Sequence, residues 1–267
     1  MDIVATEFKE HCDNINQRGF TVVANTFTDD ECETAKHELD RLVEEIETGG
    51  MECLFNKVRV FERVYRIPHL LRIVRHFLGS DALLGGVFGS IIDPGKGDGG
   101  LHADGEITGS LRPRSQAPAD KGLRITSHTM GLNSIFCISD FAAGNGATRL
   151  VPGSHRVETI DIPDKASEQA LIVEAPRGST LVFDTNIWHG SSANRTEQKR
   201  YALLVPWRRN WQKGAYELSR IVKPEVIERA GEDRQVFGED ATPPYLELWQ
   251  WDREKGGGMG RVVRDLE

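Results

Sequence analysis

LLGGVFGSIIDPGKGDGGLHADGEITGS, residues 83–110, marks the point where the texture of the chain changes. From here to about residue 210 the apolar residues come in short runs: LLGGVFGSII, GLNSIFCISDF, ATRLVPGS, ALIVEAP, STLVFDTNIWHGS and YALLVPWRR. Gly, Pro, Asn and Asp separate them. Many short β-rich runs with turn signals and no intervening helices predict an antiparallel sandwich or barrel, not βαβ units. The same stretch places His102 and Asp104 two residues apart, directly after a burst of glycines.

Upstream, GFTVVANTF (19–27) has strand composition, and TDDECETAKHELDRLVEEIE (28–47) follows as a helix. Thr28 or Asp29 can cap it, Glu31 stands three residues after Thr28, and Ala35, Leu39, Leu42, Val43 and Ile46 form an apolar stripe. IPHLLRIVRHFLGS (67–80) predicts a second amphipathic helix, with Pro68 in its first turn and Gly79 near its end. We therefore expect one domain over 1–267. It has a β core at about 83–210, N-terminal helical support over 1–82 and a C-terminal extension over 211–267 that includes a helical stretch, YELSRIVKPEVIERAG.

Composition narrows the partners. Lys plus Arg number 33 against 41 Asp plus Glu, a formal charge of -8, with no basic run to hold nucleic acid or an anionic membrane. MDIVATEFKEHC lacks the basic start and apolar stretch of a signal peptide, and no apolar run approaches the roughly 20 residues of a membrane helix. Cys12, Cys32, Cys53 and Cys137 contain no CxxC pair, so neither a zinc knuckle nor a disulfide framework is expected. A reduced, cytoplasmic setting is.

In an extended segment residues i and i+2 project to one face, so His102 and Asp104 can reach one point while Ala103 turns away. The best third ligand is His189, at the end of the strand-like run TLVFDTNIWH. Two histidines and a carboxylate on one face of a first-row metal, with the remaining positions open, is the ligand set of non-haem Fe(II) oxygenases. Arg200 comes eleven residues after His189 and Ser191 two. A strand antiparallel to that of His189 would bring the guanidinium and hydroxyl near the metal, able to hold a carboxylate.

Together, His102-x-Asp104, NGATRLVPGSH (145–155), His189-x-Ser191 and Arg200 resemble the phytanoyl-CoA dioxygenase family of Fe(II)- and 2-oxoglutarate-dependent oxygenases. GFTVVANTFTDDE also looks like that family's opening strand and helix. The resemblance implies a mostly β fold, a double-stranded β-helix of the jelly-roll, cupin-like kind with flanking N-terminal helices. It implies His102, Asp104 and His189 as iron ligands, Arg200 and Ser191 on the far carboxylate of 2-oxoglutarate, Asn133 as a further polar pocket residue, and dioxygen as co-reactant. Relatives that halogenate carry a small residue where this chain keeps Asp104, so oxidation, with hydroxylation the default, of a small organic substrate is implied.

Other readings are open. The metal site of a jelly roll can serve a non-catalytic sensor or binding module, and His, Asp and His also suit a zinc hydrolase, although no general base such as the Glu of HExxH is evident. Gly95–Gly100 matches GxGxxG literally, but no helix is expected to follow it. His155 is expected to be structural, Trp188 to point into the core or wall, and Asn194-Arg-Thr196 to match a glycosylation sequon by chance. Residues 105–130 are expected to form a loop or lid in which Arg112, Arg114, Lys121 and Arg124 outnumber Glu106 and Asp120, and where His128 is solvated or touches substrate.

Overall fold

The structure is a computed structural model that describes residues 3–45, 53–105, 124–212, 214 and 216–238. Helix α1 (Ile3–Arg18) runs through Gly19, at φ 89°, into strand β1 (Phe20–Val23). Helix α2 (Asp29–Glu45) opens on a reciprocal cap: the Glu31 amide donates to Thr28 Oγ1 at 3.2 Å and the Thr28 amide to Glu31 Oε2 at 2.8 Å. Ala35, Leu39 and Leu42 bury the expected stripe, but Val43 is exposed, and Ile46 lies outside the described residues. Helix α3 (Pro68–Leu78) begins at Pro68 and stops at Gly79.

The strands follow as β2 (Leu83–Leu84), β3 (Phe88–Ile92), β4 (Gly131–Cys137), β5 (Thr148–Leu150), β6 (Leu171–Ile172), β7 (Thr180–Asp184), β8 (His189–Ser191) and β9 (Arg200–Arg208). All pairings between them are antiparallel. The larger sheet has the order β1-β7-β4-β9-β2, with β3 also on β9, and the smaller has the order β6-β5-β8. This is the jelly-roll, cupin-like fold expected, with helices α1 to α3 packed against the larger sheet.

Alternation along the strands divides the core in two. On β9, Tyr201, Leu203, Val205 and Trp207 face the helices together with Leu132 and Phe136 of β4, whereas Ala202, with Ile135 and Cys137 of β4 and Leu181 and Phe183 of β7, faces the smaller sheet. Covered on both sides, these strands read as continuous apolar runs. Each fully buried Leu, Val or Phe here stabilises the fold by about 1.5–3 kcal/mol relative to an exposed one.

Three expectations change. The larger sheet reaches back to β1, paired with β7 through Phe20 and Phe183, so the β core is not confined to 83–210. The run STLVFDTNIWHGS is two strands in different sheets, broken where Ile187 N–H returns to the Asp184 carbonyl and Asn186 N–H to Asp184 Oδ1. The helical tail is split at Pro224 into α4 (Leu218–Ile221) and α5 (Pro224–Ala230), because proline has no amide proton to continue the first helix. Among the described residues no helix is long and apolar enough to cross a membrane.

Candidate functional site

His102 and His189 face each other across an antiparallel bridge, each backbone N–H donating to the other's carbonyl at 2.9 Å. Such a mutual pair puts both side chains on one side, and the ring centroids lie 4.3 Å apart. The close approach depends on Gly190, where a Cβ would lie 2.9 Å from the carbonyl oxygens of both Gly99 and Gly100. His102 Nδ1 lies 3.2 Å from the Gly100 carbonyl and His189 Nδ1 3.0 Å from that of Ile187. A carbonyl only accepts, so each neutral ring carries its proton on Nδ1 and presents a bare Nε2.

Both Nε2 atoms are directed at Asp104, at 3.8 Å to Oδ1 for His102 and 3.5 Å to Oδ2 for His189, and the three ligand atoms lie within 4.8 Å of one another. Ligands about 2.1 Å from a first-row ion sit about 3 Å apart on an octahedral face, so shifts of roughly 1 Å or less would seat one. Asp104 is held from two sides: Asn133 Nδ2 donates to its Oδ2 at 2.7 Å, and the next amide, of Gly105, donates to the Thr185 carbonyl at 2.7 Å. Burial pushes the Asp104 carboxyl upward, but in the metal-free site, with both rings protonated and so not yet in the bare-Nε2 form that would take a metal, the hydrogen bond and charge of His189, the charge of His102 and the Asn133 amide outweigh it and leave it below the usual carboxylate value. The donor set therefore suits a divalent cation.

Arg200 opens β9 opposite Ile92 of β3, so it reaches the site from the larger sheet and not, as expected, from a strand beside β8. Only 4% exposed, its guanidinium lies 4.8 Å over the Phe141 ring, and its Nε and Nη1 have no hydrogen-bond partner among the described residues. Burial pushes it down to about 10. The nearby Cys137 thiol is itself pushed up to about 12 by burial, so it stays neutral and offers no counter-charge. A buried cation with unsatisfied N–H groups is costly, and an incoming carboxylate removes that cost. Ser191 Oγ accepts from the Gly99 amide at 3.2 Å, across from Thr148.

All six candidate residues, His102, Asp104, Asn133, His189, Ser191 and Arg200, line one cavity of about 780 Å³ between the sheets. Sequence reasoning missed others on its wall, among them Phe88, Thr148, Leu204, Arg208 and Tyr216. Arg208 had a usable signal: it shares the parity of Arg200 on β9.

The distractors fall elsewhere. Gly95–Gly100 leads into the His102 bridge and not into a helix, and Gly97, at φ 93°, has the Ser192 carbonyl 2.5 Å from where a Cβ would be. His155 is buried with its Nε2 towards the Asn16 carbonyl, and Asn194 is buried, its amide donating to the Ile92 and Gln198 carbonyls. Trp188 packs in the wall with Val151 and Ala166. Arg124 is no solvated lid charge: it is buried and donates to the carbonyls of Asn186, Ser154 and Val157. His128 is exposed, 3.0 Å from Ser127 Oγ, and is not among the described lining residues. Arg112, Arg114, Lys121, Glu106 and Asp120 lie outside the described residues.

The family model for phytanoyl-CoA dioxygenase (PhyH) matches residues 15–202, well over half of the chain. The chain belongs to the phytanoyl-CoA dioxygenase family. Among curated relatives in this family's company, dioxygenase af480 of Aspergillus fumigatus is 30% identical over 171 residues, 60% of this chain and 51% of that protein. The Fe(II)/2-oxoglutarate-dependent dioxygenase nvfF of Aspergillus novofumigatus is 38% identical over 123 residues, 44% of this chain and 37% of that protein. The chain thus spans about half the length, or less, of these relatives. The structure of HygX from Streptomyces hygroscopicus, with nickel and 2-oxoglutarate bound, superimposes with a TM-score of 0.61 at 18% identity, covering 76% of this chain and 87% of that one. At that identity the match speaks for the fold alone.

Proposed function

We propose that this chain is an Fe(II)- and 2-oxoglutarate-dependent dioxygenase that oxidises a small organic substrate, by hydroxylation as the default outcome, with release of succinate and CO2. One observation carries the reading. Two histidines with bare Nε2 atoms and a fixed carboxylate converge in the same cavity that holds a buried arginine with unsatisfied N–H groups. A zinc hydrolase or a passive binding module has no use for that second feature.

When bound, iron, 2-oxoglutarate and dioxygen supply the oxidising chemistry, and the chain's residues supply placement. His102, Asp104 and His189 would hold the metal. Asn133 donates to Asp104 Oδ2 and so fixes the carboxylate's rotation, leaving Oδ1 towards His102. Arg200 would take the far carboxylate of 2-oxoglutarate through charge-assisted hydrogen bonds, and Ser191, which lines the same cavity, would offer it a hydroxyl. Phe88, Ile135, Phe183 and Leu204 wall the cavity with apolar surface that keeps water from the reacting centre.

Retention of Asp104 supports oxidation over halogen transfer. Four buried cysteines, with no disulfide among the described residues, support a reducing compartment, which we take to be the cytoplasm, and the charge of -8 argues against nucleic-acid partners. The test is conversion of 2-oxoglutarate to succinate, measured without added substrate as slow uncoupled turnover. It should require Fe(II) and vanish in Asp104→Ala. Turnover without iron, or full turnover in the variant, would contradict the assignment.

A further inference from the structure

The two histidines of the metal site are held in unlike ways. His189 is buried on β8, paired with Leu150 of β5, and its ring lies 4.6 Å from that of Phe183. His102 is exposed and belongs to no strand beyond its bridge to His189. Before it come Gly95, Gly97, Gly99 and Gly100, with only Lys96, Asp98 and Leu101 among them, and glycine has more backbone freedom to lose than any other residue. A ligand carried on such a segment stays in place only if contacts from outside hold the segment.

Arg149 supplies such a contact. It lies on β5 opposite Gly190 of β8, and residues paired across an antiparallel ladder project to the same side. Gly190 has no side chain, and the Gly99 and Gly100 carbonyls approach the space where its Cβ would lie. Arg149 Nη2 donates to that Gly99 carbonyl at 3.0 Å. The Gly99 amide in turn donates to Ser191 Oγ at 3.2 Å. Both backbone polar atoms of Gly99 are therefore held by side chains of the smaller sheet, three residues before His102. Asp98 sits at φ 63°, a left-handed backbone that few residues other than glycine adopt, and its Oδ1 lies 3.4 Å from the same Arg149 Nη2.

We propose that Arg149 is a positioning residue for the metal centre: its hydrogen bond to the Gly99 carbonyl holds the glycine-rich segment over Gly190 and so keeps His102 Nε2 aligned with His189 and Asp104. It acts through the backbone and touches neither metal nor substrate. Removing an outer contact of this kind typically costs about 10–100-fold in metal affinity or activity. Charge alone would have the opposite effect, because deleting a cation from the surroundings of a dication strengthens binding of the dication. The sign of the change therefore separates positioning from electrostatics.

The proposal rests on the metal site of the dioxygenase reading, and one experiment separates their failures. The metal-free full chain and its Arg149→Gln variant are titrated anaerobically with Fe(II) against a competing chelator, and backbone amide exchange is mapped in both metal-free proteins. The variant should bind Fe(II) at least tenfold more weakly, with faster exchange confined to the segment from Lys96 to His102. Arg149→Lys, which keeps the charge but not the fork of donors, should fall between the two. Affinity in Arg149→Gln equal to or above that of the wild type overturns the proposal. So does exchange that rises throughout the chain, the mark of a general structural loss. Failure of the wild-type chain to bind Fe(II) overturns the dioxygenase reading, and this proposal with it.

Discussion

Asn133 Nδ2 donates a 2.7 Å hydrogen bond to Asp104 Oδ2, tying the central strand β4 of the larger sheet to a carboxylate carried by the segment after the glycine-rich turn. The residue pairs with Phe183 of β7 on one side and Pro206 of β9 on the other, so its position is set by the core. A rigid donor of this kind fixes a metal-binding carboxylate without touching the metal. Removing such a partner typically costs about 10–100-fold in metal affinity or activity. Asn133→Ala should lower Fe(II) affinity by that factor in an anaerobic titration, and unchanged affinity would show that Asp104 needs no such support.

If Arg200 receives the far carboxylate of 2-oxoglutarate as proposed, it couples cosubstrate binding to stability. Arg200→Ala should weaken 2-oxoglutarate binding by roughly 1.5–3 kcal/mol, the scale of a hydrogen bond to a charged group. Arg200→Met removes a buried cation with unpaired N–H groups and replaces it with an apolar chain of similar length. Its thermal midpoint without 2-oxoglutarate should therefore equal or exceed that of the wild type. Added 2-oxoglutarate should raise only the wild-type midpoint, since a ligand stabilises the state that binds it. A rise of equal size in both proteins would remove Arg200 from the cosubstrate site.

Gly190 is a structural condition for the two histidines to meet. A methyl group there would press on the carbonyls of Gly99 and Gly100, three and two residues from the His102 bridge. Gly190→Ala should push the 99–102 segment away from β8 and lower metal affinity at least tenfold, although all three ligands remain. Wild-type affinity in that variant would mean that the segment yields without moving His102.

Much of the site was legible because it rests on short-range geometry. The i, i+2 spacing of His102 and Asp104, the same spacing of His189 and Ser191, and the cap between Thr28 and Glu31 all follow from local backbone periodicity. What was not legible depends on long-range pairing or burial. GFTVV reads as a strand, but nothing local says that Phe20 lies beside Phe183. TLVFDTNIWH reads as one strand because its polar break, Asp184 to Asn186, is short; these residues are buried, Asp184 Oδ1 accepts from the Asn186 amide at the bend, and β8 then joins the other sheet. Arg200 reaches the metal point from that other sheet for the same reason. Arg124 looks like a loop charge until the carbonyls of Asn186 and Ser154 are seen to enclose it.

The most direct test of the central claim is an anaerobic titration of metal-free protein with Fe(II) and then 2-oxoglutarate, following the visible iron-to-oxoacid charge-transfer band. The wild-type chain should give a saturable band, His189→Ala should give none, and Arg200→Ala should give it only at 2-oxoglutarate concentrations at least tenfold higher. Iron binding by the wild-type chain with no band at saturating 2-oxoglutarate would contradict the account.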